Sequence, residues 1–407
     1  MGWMHNHSDR AAADVLGASF RLPCGVVLEN RLVKAAMSDS LGDGAGGPTE
    51  QQIALYRRWA DGGSALSLIG ETQVDHRYPE KPANLVLRPG VADASFRRLA
   101  AAGTAVWPQL GHAGALADAR ISHPAGPSEL RVEGLHCAAL TRAEIEALPG
   151  AYAAAAGQAR SVGFQGVEIH AGHGFLLSQF LSPLFNHRTD HYGGPIEARC
   201  RLLLDIIDQV RAEVGSRFAI AVKINSSDQL EGGLTEHDAL HAISLLGETS
   251  VDLIDVSGGT YFPGAPSSSD RRSTGPYFVD FARRARSVTD APLMVTGGFK
   301  TRAEAAEAVA SGATDFVGLA RTMALDPQLP AKWLEPSGGD PEFPTFESPP
   351  PGGVTAWFTM RLTALAAGDE RQFNMTLSEA VAAYEARDAD RVDTWKQAFD
   401  VGGEPIV

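Results

Sequence analysis

Cysteine is scarce in this chain: Cys24, Cys137 and Cys200 are the only three among 407 residues. Three scattered thiols build neither a disulfide framework nor an iron–sulfur cluster, and they read as reduced side chains of a cytoplasmic protein. Positive charge is short as well. Thirty-five Lys and Arg face 49 Asp and Glu, a formal net charge of −14, which disfavours nucleic-acid phosphates and anionic membranes as partners. No apolar stretch approaches the roughly 20 residues of a bilayer span. The opening MGWMHNHSDR lacks an apolar segment and a cleavage pattern, so it is not a signal peptide. It reads as a disordered polar start, although His5 and His7 are capable of holding metal. No HExxH motif and no serine nucleophile elbow occurs, and no GxGxxG directly follows a strand and opens a helix as a dinucleotide fingerprint does.

What the chain does contain is a recurring apolar run. RLVKAAM (31–37), ALSLIG (65–70), TAVWPQL (104–110), GVEIHA (166–171), FAIAVKIN (218–225), VDLIDVSG (251–258), APLMVTG (291–297) and TDFVGLA (314–320) read as strands, several of them buried on both faces. Helix-start chemistry lies between them. Thr141 with Glu144 and Thr301 with Glu304 have capping-box spacing, Thr235 with Asp238 is a weaker relative, and Gly63, Gly163 and Gly312 mark helix ends. Eight strands with intervening helices predict an α/β fold, a (β/α)8 TIM barrel, over an open doubly wound sheet. The barrel is expected over residues 1–335, followed by a Pro/Gly-rich linker or strap over 336–353. A helical C-terminal extension is expected over 354–407, with helices at 354–367 and 376–399 packing on the barrel or on a partner subunit of a homo-oligomer.

In such a barrel the polar residues at strand C-termini are placed to do chemistry. Strand one ends in the small residues Ala35-Ala36-Met37-Ser38, which let a flat ring approach the backbone. Strand two ends in Gly70-Glu71, strand three offers Gln109 and His112, and strand five Lys223 and Asn225. Gly297-Gly298 after strand seven and Ala320-Arg321 after strand eight have the makings of a phosphate site, bare backbone beside a bidentate guanidinium. His170 and His173 after strand four admit three readings: anchors for a substrate oxygen, structural histidines, or metal ligands. No adjacent third ligand supports the last of these.

The segments ENRLVKAAMSD, WPQLGHAG, GFQGVEIHAGHGFLLSQFLSPLFNHRTDHYGG, AVKINSSD, PLMVTGGFKTR and GLAR resemble the old yellow enzyme family of NAD(P)H:flavin oxidoreductases, in unbroken order over roughly residues 15–330. The resemblance implies FMN over the barrel mouth, reduced by NADH or NADPH, passing hydride to a small molecule with an electron-poor alkene, nitro or quinone group. By the same resemblance Ala35, Ala36, Met37, Ser38 and Gly70 lie against the flavin, and Gln109 reads its pyrimidine edge. Lys223 sits near N1/O2, while Gly297, Gly298, Ala320 and Arg321 hold the phosphate. His170 and His173 bind the substrate oxygen.

The chain departs from the family pattern at Phe175, where a tyrosine usually gives a proton to the α-carbon. Ser40 replaces a tyrosine that some members carry after strand one, Ala115 stands where a basic residue is common, and Glu71 adds a carboxyl. A missing general acid slows protonation by roughly two to three powers of ten. Tyr261 or Tyr78 reaching in, solvent, or an acceptor that needs no carbon protonation would each relieve this. The alternatives to acceptor reduction are flavin-dependent oxidation or demethylation of a small amine, and a non-catalytic flavin-binding barrel.

Overall fold

In a computed structural model the backbone is described for residues 2–263, 265 and 275–400, and side chains from Asp9 onward with the exception of Glu71. Eight parallel strands close a barrel: β1 (Leu32–Lys34), β2 (Leu66–Gln73), β3 (Val106–Gly111), β4 (Gly166–Ala171), β5 (Ala219–Asn225), β6 (Leu253–Ser257), β7 (Leu293–Thr296) and β8 (Phe316–Leu319). Each pairs with its sequence neighbour, and β1 pairs with both β2 and β8, which closes the ring. All eight coincide with the apolar runs read from the sequence. Strands buried on both faces have no polar alternation to display, which is why they read as continuous runs.

The helices between strands start where the sequence says they should. Thr141 and Thr301 form reciprocal capping boxes with Glu144 and Glu304, and the Thr235 side chain accepts from the Asp238 amide without the return bond. A three-stranded element over Ala125–Gly126, Leu130–Val132 and Leu135–Ala139, which the sequence reading did not anticipate, is inserted after β3.

Two expectations about the chain ends are settled by packing. The start is not disordered: a helix runs Gly2–Gly17, Asp9 pairs with Arg302 at 2.8 Å, and Leu16 is wholly buried. Among its described side chains Ala13 and Leu16 are buried, and the polar composition masked a helix that docks by one face. The side chains of His5 and His7 lie outside the described residues. At the other end, helices Gly353–Ala367 and Leu377–Phe399 pack on their own barrel. Arg58 of helix Glu50–Asp61 binds the Glu370 carboxylate and the Leu365 carbonyl, Arg391 donates to the Ser40 carbonyl at 2.9 Å, and Trp395 is buried beside Val86 and Ile121. Residues 336–352 form an irregular strap, tied down where the Arg302 guanidinium donates to the carbonyls of Glu335 and Pro336. No helix among the described residues is long and apolar enough to cross a membrane.

Candidate active site

Inward-facing positions change character along the barrel axis. At the bottom Trp107, Ala221, Leu253 and Met294 pack with Val33, Leu66, Leu68 and Phe316 in one apolar cluster. Strand side chains repeat with period two, so the next inward residue on each of those strands is Gln109, Lys223, Asp255 and Thr296. This upper layer is polar, buried and internally bonded. Lys223 Nζ forms a close ion pair with the Asp255 carboxylate, Thr296 Oγ1 donates to Asp255 Oδ1 at 2.7 Å, and Gln109 Nε2 donates to Glu168 Oε2. Burial pushes the Glu168 carboxyl up to about 8 against the pull of Lys223, so it is largely protonated at pH 7. Burial pulls Lys223 down, but the charge of the Asp255 carboxylate leads the influences that outweigh it and hold the ammonium above its ordinary range. The layer therefore holds a paired ammonium and carboxylate in a low-dielectric floor, with Lys223 lining the cavity above.

Above the floor two clefts of about 1170 and 1230 Å³ open at the strand C-termini. They share Ala36, Met37, Ser38, His173, Tyr261 and Thr355, so they are the two ends of one cavity. One end is lined by Lys223, Gly297, Gly298, Ala320 and Arg321, the other by Gly70, Gln109, His170 and Phe175. Ala35 is the one predicted site residue away from the opening. It is wholly buried in the barrel wall, where its amide donates to the Leu319 carbonyl at 2.9 Å.

The first end is made of backbone. Gly298 has φ +86°, and a β-carbon there would sit 2.5 Å from the Gly275 carbonyl oxygen. A β-carbon on Gly318 would lie 2.0 Å from Thr296 Oγ1. Side chains are thus excluded from this surface, and Arg321 stands beside it with a guanidinium nitrogen 3.4 Å from Tyr277 Oη. Bare backbone with a forked cation is the donor chemistry of a phosphate site. Gly70 meets an equivalent constraint between the first two strands, since its β-carbon would be 2.3 Å from the Met37 carbonyl oxygen.

The second end is made of side chains. His170 Nε2 and His173 Nδ1 lie 2.8 Å apart, and His173 Nε2 lies 2.9 Å from Ser257 Oγ. Each imidazole therefore already has a ring partner, and a substrate oxygen must displace their mutual hydrogen bond. His173 has φ +60° and is held there by Asn225 Oδ1 accepting from its amide at 3.0 Å. Burial keeps both rings neutral, His173 falling to about 3 and His170 well below its ordinary value, with the Lys223 charge adding to the effect. Phe175 starts helix Leu176–Leu181 with its ring 5.1 Å from that of His170. Tyr261 is 59% exposed, 6.0 Å from the His173 ring and 5.8 Å from Phe175. Tyr78 is stacked on His112 at 4.4 Å. The side chain of Glu71 lies outside the described residues.

Sequence reasoning missed two sets of residues here. Asp255 and Glu168 had a signal, an acid inside an otherwise apolar strand. The C-terminal extension had none: Thr355, Ala356 and Tyr384 line the second end and Phe358, Thr359 and Leu362 the first, brought back over the barrel only by the tertiary fold.

Comparison with known proteins agrees with this geometry. Residues 24–335 match the NADH:flavin oxidoreductase / NADH oxidase family. An NADH-dependent flavin oxidoreductase of Hypocrea jecorina is 37% identical over 349 residues, covering 76% of this chain and 86% of its own. Among solved structures, a 2-naphthoyl-CoA reductase complex superposes with a TM-score of 0.74 at 25% identity, over 79% of this chain and 52% of the other, so this chain spans about half of that protein. The old yellow enzyme homologue of Zymomonas mobilis shares the fold, with a TM-score of 0.69 at 23% identity over 81% and 94% of the two chains. The chain belongs to the NADH:flavin oxidoreductase family of old yellow enzyme barrels, FMN-dependent enzymes that draw on NADH.

Proposed function

We propose that this cavity reduces an electron-poor small molecule, an α,β-unsaturated carbonyl, a nitro compound or a quinone, at the expense of NADH or NADPH. FMN, when bound, supplies the hydride chemistry, accepting from the nicotinamide and giving to the acceptor. The residues toward it are Arg321, Gly297, Gly298 and Ala320 for the phosphate, Ala36, Met37, Ser38 and Gly70 along the ring, and Gln109 and Lys223 at its polar edge. Lys223, kept charged by Asp255, favours negative charge gathering above the floor.

The observation that carries the reading is the neutral His170–His173 pair at the second end of the cavity, where His173 also lines the first end. Two imidazoles that stay neutral far below pH 7 exchange one mutual hydrogen bond for N–H bonds to an acceptor oxygen, and they polarise it without the cost of burying two cations. A phenol ligand tests this. Wild type titrated with p-hydroxybenzaldehyde should develop a long-wavelength charge-transfer band. The His170→Ala/His173→Ala variant should lose the band by at least tenfold in affinity while keeping its flavin. An unchanged band in that variant, or stoichiometric zinc in wild type, contradicts the assignment.

A further inference from the structure

Phe175 leaves the helix at the acceptor end with no proton to give. A phenol stands in the same cavity on a different element. Tyr384 belongs to the C-terminal helix Leu377–Phe399 and lines the cavity end that holds His170, His173 and Phe175. Lys81, only 7% exposed, donates from Nζ to Tyr384 Oη at 2.8 Å and to Ser38 Oγ at 2.7 Å. Ser38 lines both ends of the cavity. The Glu80 carboxylate lies 3.7 Å from Lys81 Nζ and the Arg387 guanidinium 5.9 Å from the centre of the Tyr384 ring, so the cations Lys81 and Arg387 and the Glu80 carboxylate surround the phenol, and Lys81 ties it to the shared wall of the cavity.

A cation donating to a phenol oxygen stabilises the phenolate more than the phenol and lowers the cost of releasing its proton. Tyr261, the other tyrosine near the histidines, is 59% exposed. A largely solvated phenol offers the acceptor little that water does not. We infer that Tyr384 is the proton donor for alkene reduction in this enzyme, with Lys81 as the positioning residue that recharges it. The inference rests on the acceptor reduction proposed above.

The step balances as follows. Hydride arriving at the β-carbon brings two electrons, and the C=C π pair moves toward the carbonyl, leaving an enolate oxygen on the histidine pair. The α-carbon then takes the Tyr384 proton: a C–H bond forms, the phenolic O–H bond breaks, and the electron pair stays on the phenolate. Lys81 returns a proton to the phenolate and recovers one from water. One hydride from the nicotinamide and one proton from solvent saturate one double bond.

The test uses holoenzyme reduced anaerobically with NADH and mixed with 2-cyclohexenone or p-benzoquinone, the latter needing protons on oxygen only. Tyr384→Phe should slow reoxidation by the enone roughly tenfold or more and remove the fall in wild-type rate at alkaline pH. Reduction by NADH and reoxidation by the quinone should stay within twofold. Phe175→Tyr should restore enone turnover in the Tyr384→Phe background. Independently of turnover, ultraviolet difference titration of oxidised holoenzyme should show one tyrosine ionising below the ordinary value of about 10. That tyrosine should be absent in Tyr384→Phe and shifted upward in Lys81→Met.

An unchanged enone rate in Tyr384→Phe overturns the inference, as does an equal loss with the quinone or a loss confined to Tyr261→Phe. Wild type that bleaches with NADH yet is reoxidised by the quinone and not by the enone sinks the inference alone. Failure with the enone, the quinone and nitro acceptors together sinks the acceptor reading beneath it as well.

Discussion

The two ends of the cavity are built from different materials. At the phosphate end the strands β7 and β8 run straight into Gly297-Gly298 and Ala320-Arg321, and the working surface is backbone from which β-carbons are excluded. At the acceptor end the surface is side chains from distant places: Gln109 and His170 from the barrel, Lys81 from a loop, and Tyr384 from a helix some 300 residues later. A backbone cradle tolerates few changes, because almost any side chain collides. A wall of side chains admits substitution more readily.

The largest expected effect lies in the floor beneath both ends. Lys223→Met strands the buried Asp255 carboxylate, and breaking a buried pair by removing one partner costs about 3–5 kcal/mol. Denaturant unfolding should record this loss. Adding Asp255→Asn should recover part of it, and strict additivity of the two changes would mean that the pair is not coupled. Next is Arg321→Ala, which removes a charged hydrogen bond worth about 1.5–3 kcal/mol. Its FMN dissociation constant, read by the fluorescence of released flavin, should rise roughly ten- to hundredfold with phenol binding to the holoenzyme unchanged. A parallel loss of phenol binding would erase the distinction between the two ends.

Smallest per unit step is a pH slope. Glu168 is raised in the folded state to about 8, so its contribution to stability is present below its ordinary range near pH 4.5 and is lost as pH rises through 8. Thermal unfolding of wild type should fall relative to Glu168→Gln across that window, by at most about 1.4 kcal/mol per pH unit. Parallel curves for the two proteins would mean that the carboxyl is ionised throughout.

The barrel was legible because each of its signals is local. Apolar runs bounded by Thr–Glu capping pairs and glycine helix ends specify strands and helices without knowledge of their neighbours, and all eight strands lay where those runs placed them. The gathering of Gly297, Gly298, Ala320 and Arg321 at one end of the cavity was legible for the same reason, since they directly follow their strands. His170, His173 and Phe175 stood out because one short segment at the C-terminal end of β4 presents them together. The rest depended on packing. The mutual bond of the histidines follows from the left-handed backbone at His173 and the anchoring Asn225, which spacing does not reveal. Tyr384 in its sequence is one tyrosine on an amphipathic helix, and only the docking of that helix on the barrel sets it beside Lys81. The N-terminal helix was hidden by its polar composition, because among its described residues only Ala13 and Leu16 are fully buried apolar side chains.

The central claim is that this cavity passes electrons from a nicotinamide to an electron-poor acceptor whose oxygen rests on His170 and His173. An anaerobic double-mixing experiment tests it most directly. The oxidised holoenzyme is first mixed with NADH or NADPH, then with a cyclic enone, a nitroalkene or a quinone, while flavin absorbance is followed. The account predicts bleaching in the first mix, recovery in the second, and a strongly slowed recovery in the His170→Ala/His173→Ala variant whose bleaching is retained. Bleaching by a small amine in place of either nicotinamide, or a reduced flavin that none of these acceptors reoxidises, would contradict it.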